Sequence, residues 1–390
     1  MNPLCRAALF TLALSPACHA QPLFYTYEKT NQVLVLPTLG GDEGEALDAD
    51  SYGRVVGWSR LWNGVPHGFL YDSGQITDVT AELGNRSAWA VSLNHFPEVV
   101  GYYDPLYPNT TVTRGFYWVA GQPLETLPSA QGMSHYRARA INEYSRIVGE
   151  TFGQGPIPNT PDACFGTIPI KWLTPYDYLD PYSLFCVPDN NQLIVTDVNA
   201  SLAVSGSDKA PQGPWQAWIL KQGVKTIVPK PSPLACGMHA GRINDDDAIV
   251  GWATICHHGE SHDRAFYWNG TSATSSLLPL LPGGSFSQAS DVNLQNMVVG
   301  FAQMLVQGSP RGDVLRERAY LYHPHFGIVA LPVPEGYSPV ITNCRANALG
   351  RWLPDKVNMN VAGYCVHQGK KMAVRWNVTV GQTPYPPMPL

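Results

Sequence analysis

The stretch AINEYSRIVG at 140–149 has a design that the rest of the chain repeats: an apolar run, an Asn near its end, a tight polar turn, and a second apolar run closed by Gly. The same design is written SLNHFPEVVG (92–101), DVNASLAVSG (197–206), RINDDDAIVG (242–251) and DVNLQNMVVG (291–300). Looser copies are ALDADSYGRVVG (46–57) and DKVNMNVAG (355–363). Self-similarity at a period of roughly 45 to 60 residues marks propellers and other repeat folds, whose units bury their apolar faces only against their neighbours.

Each copy is followed by a variable segment, then by a third, apolar-aromatic run: PHGFLY (66–71), RGFYW (114–118), QAWIL (216–220), RAFYW (264–268), RAYLY (318–322) and MAVRW (372–376). A fourth short run ends near Leu-Pro, as in LETLP and IVALP. Four short strands per repeat, rich in β-branched and aromatic residues and punctuated by Gly, Asn and Asp, describe one propeller blade. The reading is an all-β propeller of seven blades, each of four antiparallel strands, forming one domain over 21–390. LFYTYEKTNQVLVLP (23–37) looks like a third and fourth run with no first and second, and the last repeat has no clear fourth. The N-terminal segment is therefore expected to complete the final blade and close the ring, which removes exposed sheet edges.

Bulk composition narrows the function classes. The 390 residues include 34 Pro and 36 Gly, and 44% are hydrophobic, enough to bury a core. Charged residues make up 14% and the net charge is -5. No Lys/Arg run exists that could follow a phosphate backbone, which argues against nucleic acid as a partner. No stretch approaches the roughly 18 apolar residues of a membrane span.

Residues 1–20 have the form of a signal peptide, with Arg6 as the positive region, an apolar run over 7–14 and cleavage expected after Ala20. A secreted or periplasmic location follows. Six cysteines then remain: Cys164, Cys186, Cys236, Cys256, Cys344 and Cys365. An even count in an exported chain implies disulfides. Residues facing each other across a hairpin are equidistant from its turn. Cys236 and Cys256 centre on Asp246, Cys344 and Cys365 on Pro354-Asp355, and Cys164 and Cys186 on Pro175. All three midpoints are turn signals, so three sequential bridges are expected, each closing one hairpin.

With PTLGG (37–41), GRVVG (53–57), PHGFLY, AINEYSRIVG and LPGGSFSQASDVN (281–293), the chain resembles the bacterial HAF-repeat proteins, whose repeat reads A-x-x-I-N-x-x-G-x-I-V-G…H-A-F-L-W…L-x-x-L-G-G. The likeness spans nearly the whole mature chain. It implies export and a repeat fold, and it supplies no catalytic residue. His67 alone occupies the His position of the motif, which is Arg in three other repeats, and the turn Gly is often replaced.

In a four-strand meander, alternate connections emerge on opposite faces. The first-to-second and third-to-fourth turns are short, whereas the second-to-third loops and the inter-blade links are long and variable. Binding residues favour variable loops on a rigid scaffold, so the long-loop face is the expected working face. There Trp62, Tyr103 and Tyr107 are candidate recognition residues, with Trp58 and Tyr102 beside them, for a sugar ring or a partner's apolar side chains. His257, His258 and His262, in a second-to-third loop, are candidate ligands for a divalent metal such as Zn²⁺ or Mn²⁺. Asp245-Asp246-Asp247 and Asp42-Glu43-Gly44-Glu45 are weaker candidates for Ca²⁺. The expected function is that of an exported binding protein for an extracellular or periplasmic protein or glycan, which requires no cofactor. The alternative is a secreted, metal-assisted lyase or hydrolase of a polysaccharide or other polymer.

Overall fold

A computed structural model describes residues 23–104, 113–129, 135–153, 166–174, 177–179, 192–209, 212–308, 312–350 and 358–384. They form seven four-stranded antiparallel sheets. Blade one holds β2 (Gly40–Ala49), β3 (Val55–Leu61), β4 (Pro66–Asp72) and β5 (Gln75–Asp78). Blade two holds β6 (Ala88–Leu93), β7 (Glu98–Tyr103), β8 (Arg114–Val119) and β9 (Glu125–Thr126). Blade three comprises β10 (His135–Ile141), β11 (Ile147–Gly153), β12 (Gly166–Thr174) and β13 (Asp177–Leu179). Blade four comprises β14 (Gln192–Val198), β15 (Val204–Lys209), β16 (Trp215–Lys221) and β17 (Val224–Ile227). In blade five stand β18 (Ala235–Ile243), β19 (Ile249–His257), β20 (Glu260–Trp268) and β21 (Ser276–Leu277). In blade six stand β22 (Ser287–Val292), β23 (Val298–Val306), β24 (Val314–His323) and β25 (Gly327–Ala330). Blade seven joins β26 (Asn343–Leu349), β27 (Asn358–His367) and β28 (Lys370–Pro384) to β1 (Leu23–Val35).

The first strand of each blade packs against the first strands of both neighbours, and the contacts close into a ring around the axis. The N-terminal segment closes blade seven as expected. It does so as one long fourth strand paired with β28, bulged between Tyr27 and Lys29 and between Thr30 and Gln32, and not as a third and fourth run.

Two repeated residues have a backbone cause. Every first strand carries a register shift at one place: between Ala46 and Asp48, Ala90 and Ser92, Ala138 and Ala140, Val195 and Asp197, Ala240 and Ile243, Ala289 and Asp291, and Ala346 and Ala348. Such a bulge bends the strand and re-aims its side chains. The Gly that ends each second run sits against this bend. A Cβ at Gly57, Gly101, Gly149, Gly251, Gly300 or Gly363 would fall within the radius of a first-strand carbonyl oxygen. The Asn of the motif works in two directions. Asn142 Oδ1 accepts the N–H groups of Tyr144 and Arg146 in its own turn, while Nδ2 donates to the Asn199 carbonyl of the next blade at 2.9 Å. Asn94, Asn199 and Asn244 likewise reach the carbonyls of Asn142, Asn244 and Asn293. The turn Gly of the motif is the left-handed position, taken here by Gly53, Ser145, Leu202, Asp247 and Asn296.

The core lies between blades. Val56, Leu70 and Val79 of blade one pack with Ala88, Val99 and Phe116 of blade two, and equivalent clusters fill the other junctions. Third-run Trp and fourth-run Leu-Pro meet there: Trp172 Nε1 donates to the Pro128 carbonyl at 2.9 Å and Trp376 Nε1 to Pro332 at 2.8 Å. The motif's His or Arg has a shared task too. Buried His67 lies 2.7 Å from the Gly84 carbonyl, Arg264 donates to Leu278 and Arg318 to Thr342, so each secures a carbonyl beyond the fourth strand.

Cys236–Cys256 and Cys344–Cys365 are disulfides, each tying a first strand to its second. Cys344 and Cys365 stand directly opposite. The expected Cys164–Cys186 bridge lies outside the described residues, although the β12–β13 hairpin that it would flank is present.

Candidate functional site

One residue before the bulge and one after the closing Gly, each blade places a cross-strand pair facing the axis. The pairs are Glu45 and Trp58, Trp89 and Tyr102, Arg137 and Glu150, Ile194 and Ser207, His239 and Trp252, Gln288 and Phe301, and Arg345 and Tyr364. They lie toward the long-loop end of the first strands. Neighbouring pairs join into a belt. The Arg137 guanidinium lies 5.0 Å from the Tyr102 ring centre, and Arg345 lies 4.0 Å from that of Phe301. His239 stacks on Trp252 with centroids 4.9 Å apart, and Trp215 meets the same imidazole at 4.5 Å with its plane tilted by 40°. Asp263 accepts from Thr254 Oγ1 and from Gln288 Nε2, both at 2.8 Å. Lys371 Nζ meets Glu45 at 2.7 Å, and Trp58 Nε1 donates to the same carboxylate.

Most of these aromatics are half-buried, so their ring faces are held by neighbours and still meet solvent. Cations over rings and hydrogen-bonded carboxylates fix the belt without filling it. Burial holds the His239 imidazole below its usual pKa against the attraction of Asp263, which keeps it neutral near pH 7. Burial likewise pushes the Tyr102 and Tyr364 phenols up. The belt is therefore a set of neutral rings, guanidinium groups and carboxylates in fixed positions, suited to recognition by stacking and hydrogen bonding.

Of the residues singled out from sequence, Trp58 and Tyr102 belong to this belt, and the others lie elsewhere. Trp62 is 85% exposed at the tip of the β3–β4 turn. Tyr103 is a correction: it ends β7 at 4% exposure, packs in the junction of blades one and two, and its hydroxyl meets Thr126 Oγ1 at 2.9 Å. The alternation of β7 points Tyr102 to the axis and Tyr103 into the core. Tyr107 is outside the described residues. His257, His258 and His262 are not on a loop, because β19 and β20 continue into a two-residue turn at His258-Gly259. The His257 and His258 rings lie 3.9 Å apart with their planes tilted by 59°, whereas His262 pairs with Ile255 further down the ladder. Among the described residues no three His, Cys, Asp or Glu side chains converge as a metal set. The acidic run at 42–45 is also occupied: Asp42 pairs with Lys370, Glu43 with Arg60 and Glu45 with Lys371. Asp247 pairs with Lys221.

At the other end of the axis the bulges present Asp48, Ser92, Asp197, Arg242 and Asp291 around a cavity of about 50 Å³. Arg242 pairs with Asp48, and with Asp291 at 3.4 Å. Each carboxylate also accepts a backbone N–H from the following blade: Leu93 on Asp48, Ile243 on Asp197 and Leu349 on Asp291. Asp48 and Asp291 share one guanidinium. Burial pushes Asp291 up to about 6, against the pull of Arg242.

Reading the sequence found Trp58 and Tyr102 of the belt and missed its other members. The signal for the rest was available: aligning the repeats on the closing Gly gives Trp, Tyr, Glu, Ser, Trp, Phe and Tyr in the next column, aromatic in five of the seven repeats. No protein-family model matches the chain, and no curated protein matches it by sequence. Solved structures do. One of two prolyl endopeptidases analysed for inter-domain dynamics matches at TM-score 0.51 and 10% identity, over 88% of this chain and 50% of its own, so the chain spans about half that protein's length. An oligogalacturonate lyase from Vibrio parahaemolyticus matches at 0.48 and 10% identity, over 92% and 98% of the two chains. A sialidase from Trypanosoma rangeli matches at 0.37 and 10% identity, over 92% of this chain and 60% of its own. At such identities the likeness is one of fold: the chain is a seven-bladed β-propeller.

Proposed function

We propose that this is an exported binding protein that recognises a glycan or protein at the long-loop end of its axis. The observation that carries this reading is the belt: half-buried Trp58, Trp89, Tyr102, Trp252 and Tyr364 alternate with Arg137, Arg345 and Glu45 around the first strands. Planar apolar faces next to fixed charged and amide groups suit a ligand whose apolar and hydrogen-bonding faces alternate, as in a sugar chain. Two disulfides at this end and the leader-like residues 1–20 support function in an oxidising compartment outside the cytosol. The resemblance to the HAF-repeat proteins agrees with that placement.

The test compares wild type with Trp89→Ala/Trp252→Ala on a glycan array and in capture of bacterial envelope proteins. Saturable binding that the double variant loses, with thermal melting shifted by no more than a few degrees, supports the reading. Equal binding by both proteins rejects it.

A further inference from the structure

The turns between first and second strands hold a feature that the fold does not require. In blades one to three the second residue after the Asn or Asp has its N–H fixed on that side chain's Oδ1: Tyr52 on Asp50 at 2.9 Å, Phe96 on Asn94 at 3.1 Å and Tyr144 on Asn142 at 3.0 Å. The backbone is locked and the side chain points outward. In blades four, five and six the same position holds Ser201, Asp246 and Gln295, so a small or polar residue serves the turn equally well. Blades one, two and three carry aromatics instead, exposed to 58%, 56% and 64%. These three rings form a crescent on the face opposite the belt, spaced by the packing of adjacent sheets, about 10 Å.

Polar groups separate the rings. Between Tyr52 and blade two lies an open cleft of about 360 Å³ lined by Tyr52, Arg54, Asp72, Ser73 and His95. His95 pairs with Glu143 of blade three, beside Tyr144. Protein-binding patches have a continuous apolar centre depleted of charge and a polar rim. Here single rings alternate with hydroxyl, carboxylate, imidazole and guanidinium groups. That alternation fits a chain of sugar rings, whose C–H faces stack on aromatics while their hydroxyls, at the ring edge, bond to flanking polar groups.

We infer that Tyr52, Phe96 and Tyr144 form a carbohydrate-binding crescent on the short-turn face, which takes a linear polyhydroxylated polymer across blades one to three. The site is independent of the belt. Affinity electrophoresis in gels containing laminarin, xylan or amylose tests it. At least one polymer retards the wild-type protein, each single Ala substitution weakens binding about three- to tenfold, and Tyr52→Ala/Phe96→Ala/Tyr144→Ala abolishes it. Ser201→Ala and Asp246→Ala, at the equivalent turns, leave retardation unchanged. The inference is overturned if none of these polymers retards the protein, or if the triple variant is retarded as strongly as wild type. Because the three side chains are exposed and the turn bonds are made by backbone and Asx groups, the triple variant keeps its melting temperature, which separates lost binding from lost folding.

Discussion

The two ends of the propeller axis are built from the same seven strands with opposite economies. At the short-turn end the inward side chains are Asp48, Ser92, Asp197, Arg242 and Asp291, and each carboxylate is spent on the backbone of the next blade. At the long-loop end buried Glu150 and Ser207 also hold N–H groups of the next blade, but the other side chains of the belt are rings and long charged groups that bond mainly to one another. The first arrangement fastens blades together, and the second presents chemistry. The bulge that separates them lets one strand do both, because it re-aims the side chains on its two sides. Position along the first strand, more than residue type, decides whether a polar group stabilises the ring or stands available to a ligand.

The largest break in this contrast is Arg242→Met. It removes the guanidinium that Asp48 and Asp291 share, and removal of one partner of a buried pair costs about 3–5 kcal/mol. A large fall in the urea midpoint is expected, partly restored by adding Asp48→Asn and Asp291→Asn. An unchanged midpoint means that the clasp carries no load. Next, Cys344→Ala/Cys365→Ala removes a bridge spanning 21 residues and costs about 3 kcal/mol. Its melting temperature should match that of wild type under reducing conditions, and a stable variant counts against a structural role for the bridge.

Asn244→Ala sharpens the comparison on a smaller scale. It loses the Nδ2 bond to Asn293 and leaves the N–H groups of Asp246 and Ala248 without their acceptor, a cost of about 2 kcal/mol. Asp246→Ala, an exposed neighbour in the same turn, should change stability by less than about 0.5 kcal/mol. The smallest effect is one of pH, and the two ends should respond with opposite sign. The Asp291 pKa is about 6 in the fold against an ordinary 3.8, so its contribution is present below about pH 3.8 and is lost as pH rises through about 6. The His239 pKa is lowered from 6.5, so its contribution is present above that value and is lost as pH falls below it. Melting curves across pH 4–8 should therefore flatten between pH 4 and 6 in Asp291→Asn, with stability gained relative to wild type as pH rises. In His239→Gln the loss on acidification should shrink. The same pH profile in both variants would mean that neither group is linked to folding.

Much of the fold was legible because its repeated residues answer to backbone geometry. Gly149 meets the Arg137 carbonyl and Asn142 spans two blades, and such demands recur from blade to blade, the Asn span at four junctions, and leave a periodic mark. The disulfides were readable because a hairpin fixes which residues stand near each other: Cys344 is directly opposite Cys365, and Cys236, in a bulge, still reaches Cys256. Tyr103 was misread since Tyr102 and Tyr103 differ only in which face of β7 they occupy, and a bulge or a one-residue extension exchanges those faces. The His257 segment reads as a loop, yet His258-Gly259 with positive φ angles turns it into a hairpin.

The sequence by itself determined the number of blades, the closure by the N-terminal strand and the turns, because each depends on local periodicity and on residues that a backbone conformation requires. Only the tertiary structure decided which side chains share the axis. Glu45 and Lys371 are distant in the chain, as are Arg242 and Asp48, and they meet because seven sheets close into a circle. The two axial sites and the crescent of Tyr52, Phe96 and Tyr144 are assembled from one or two residues per blade. A single repeat therefore carries too little of any of them to be seen, and closure of the ring is the physical event that creates them.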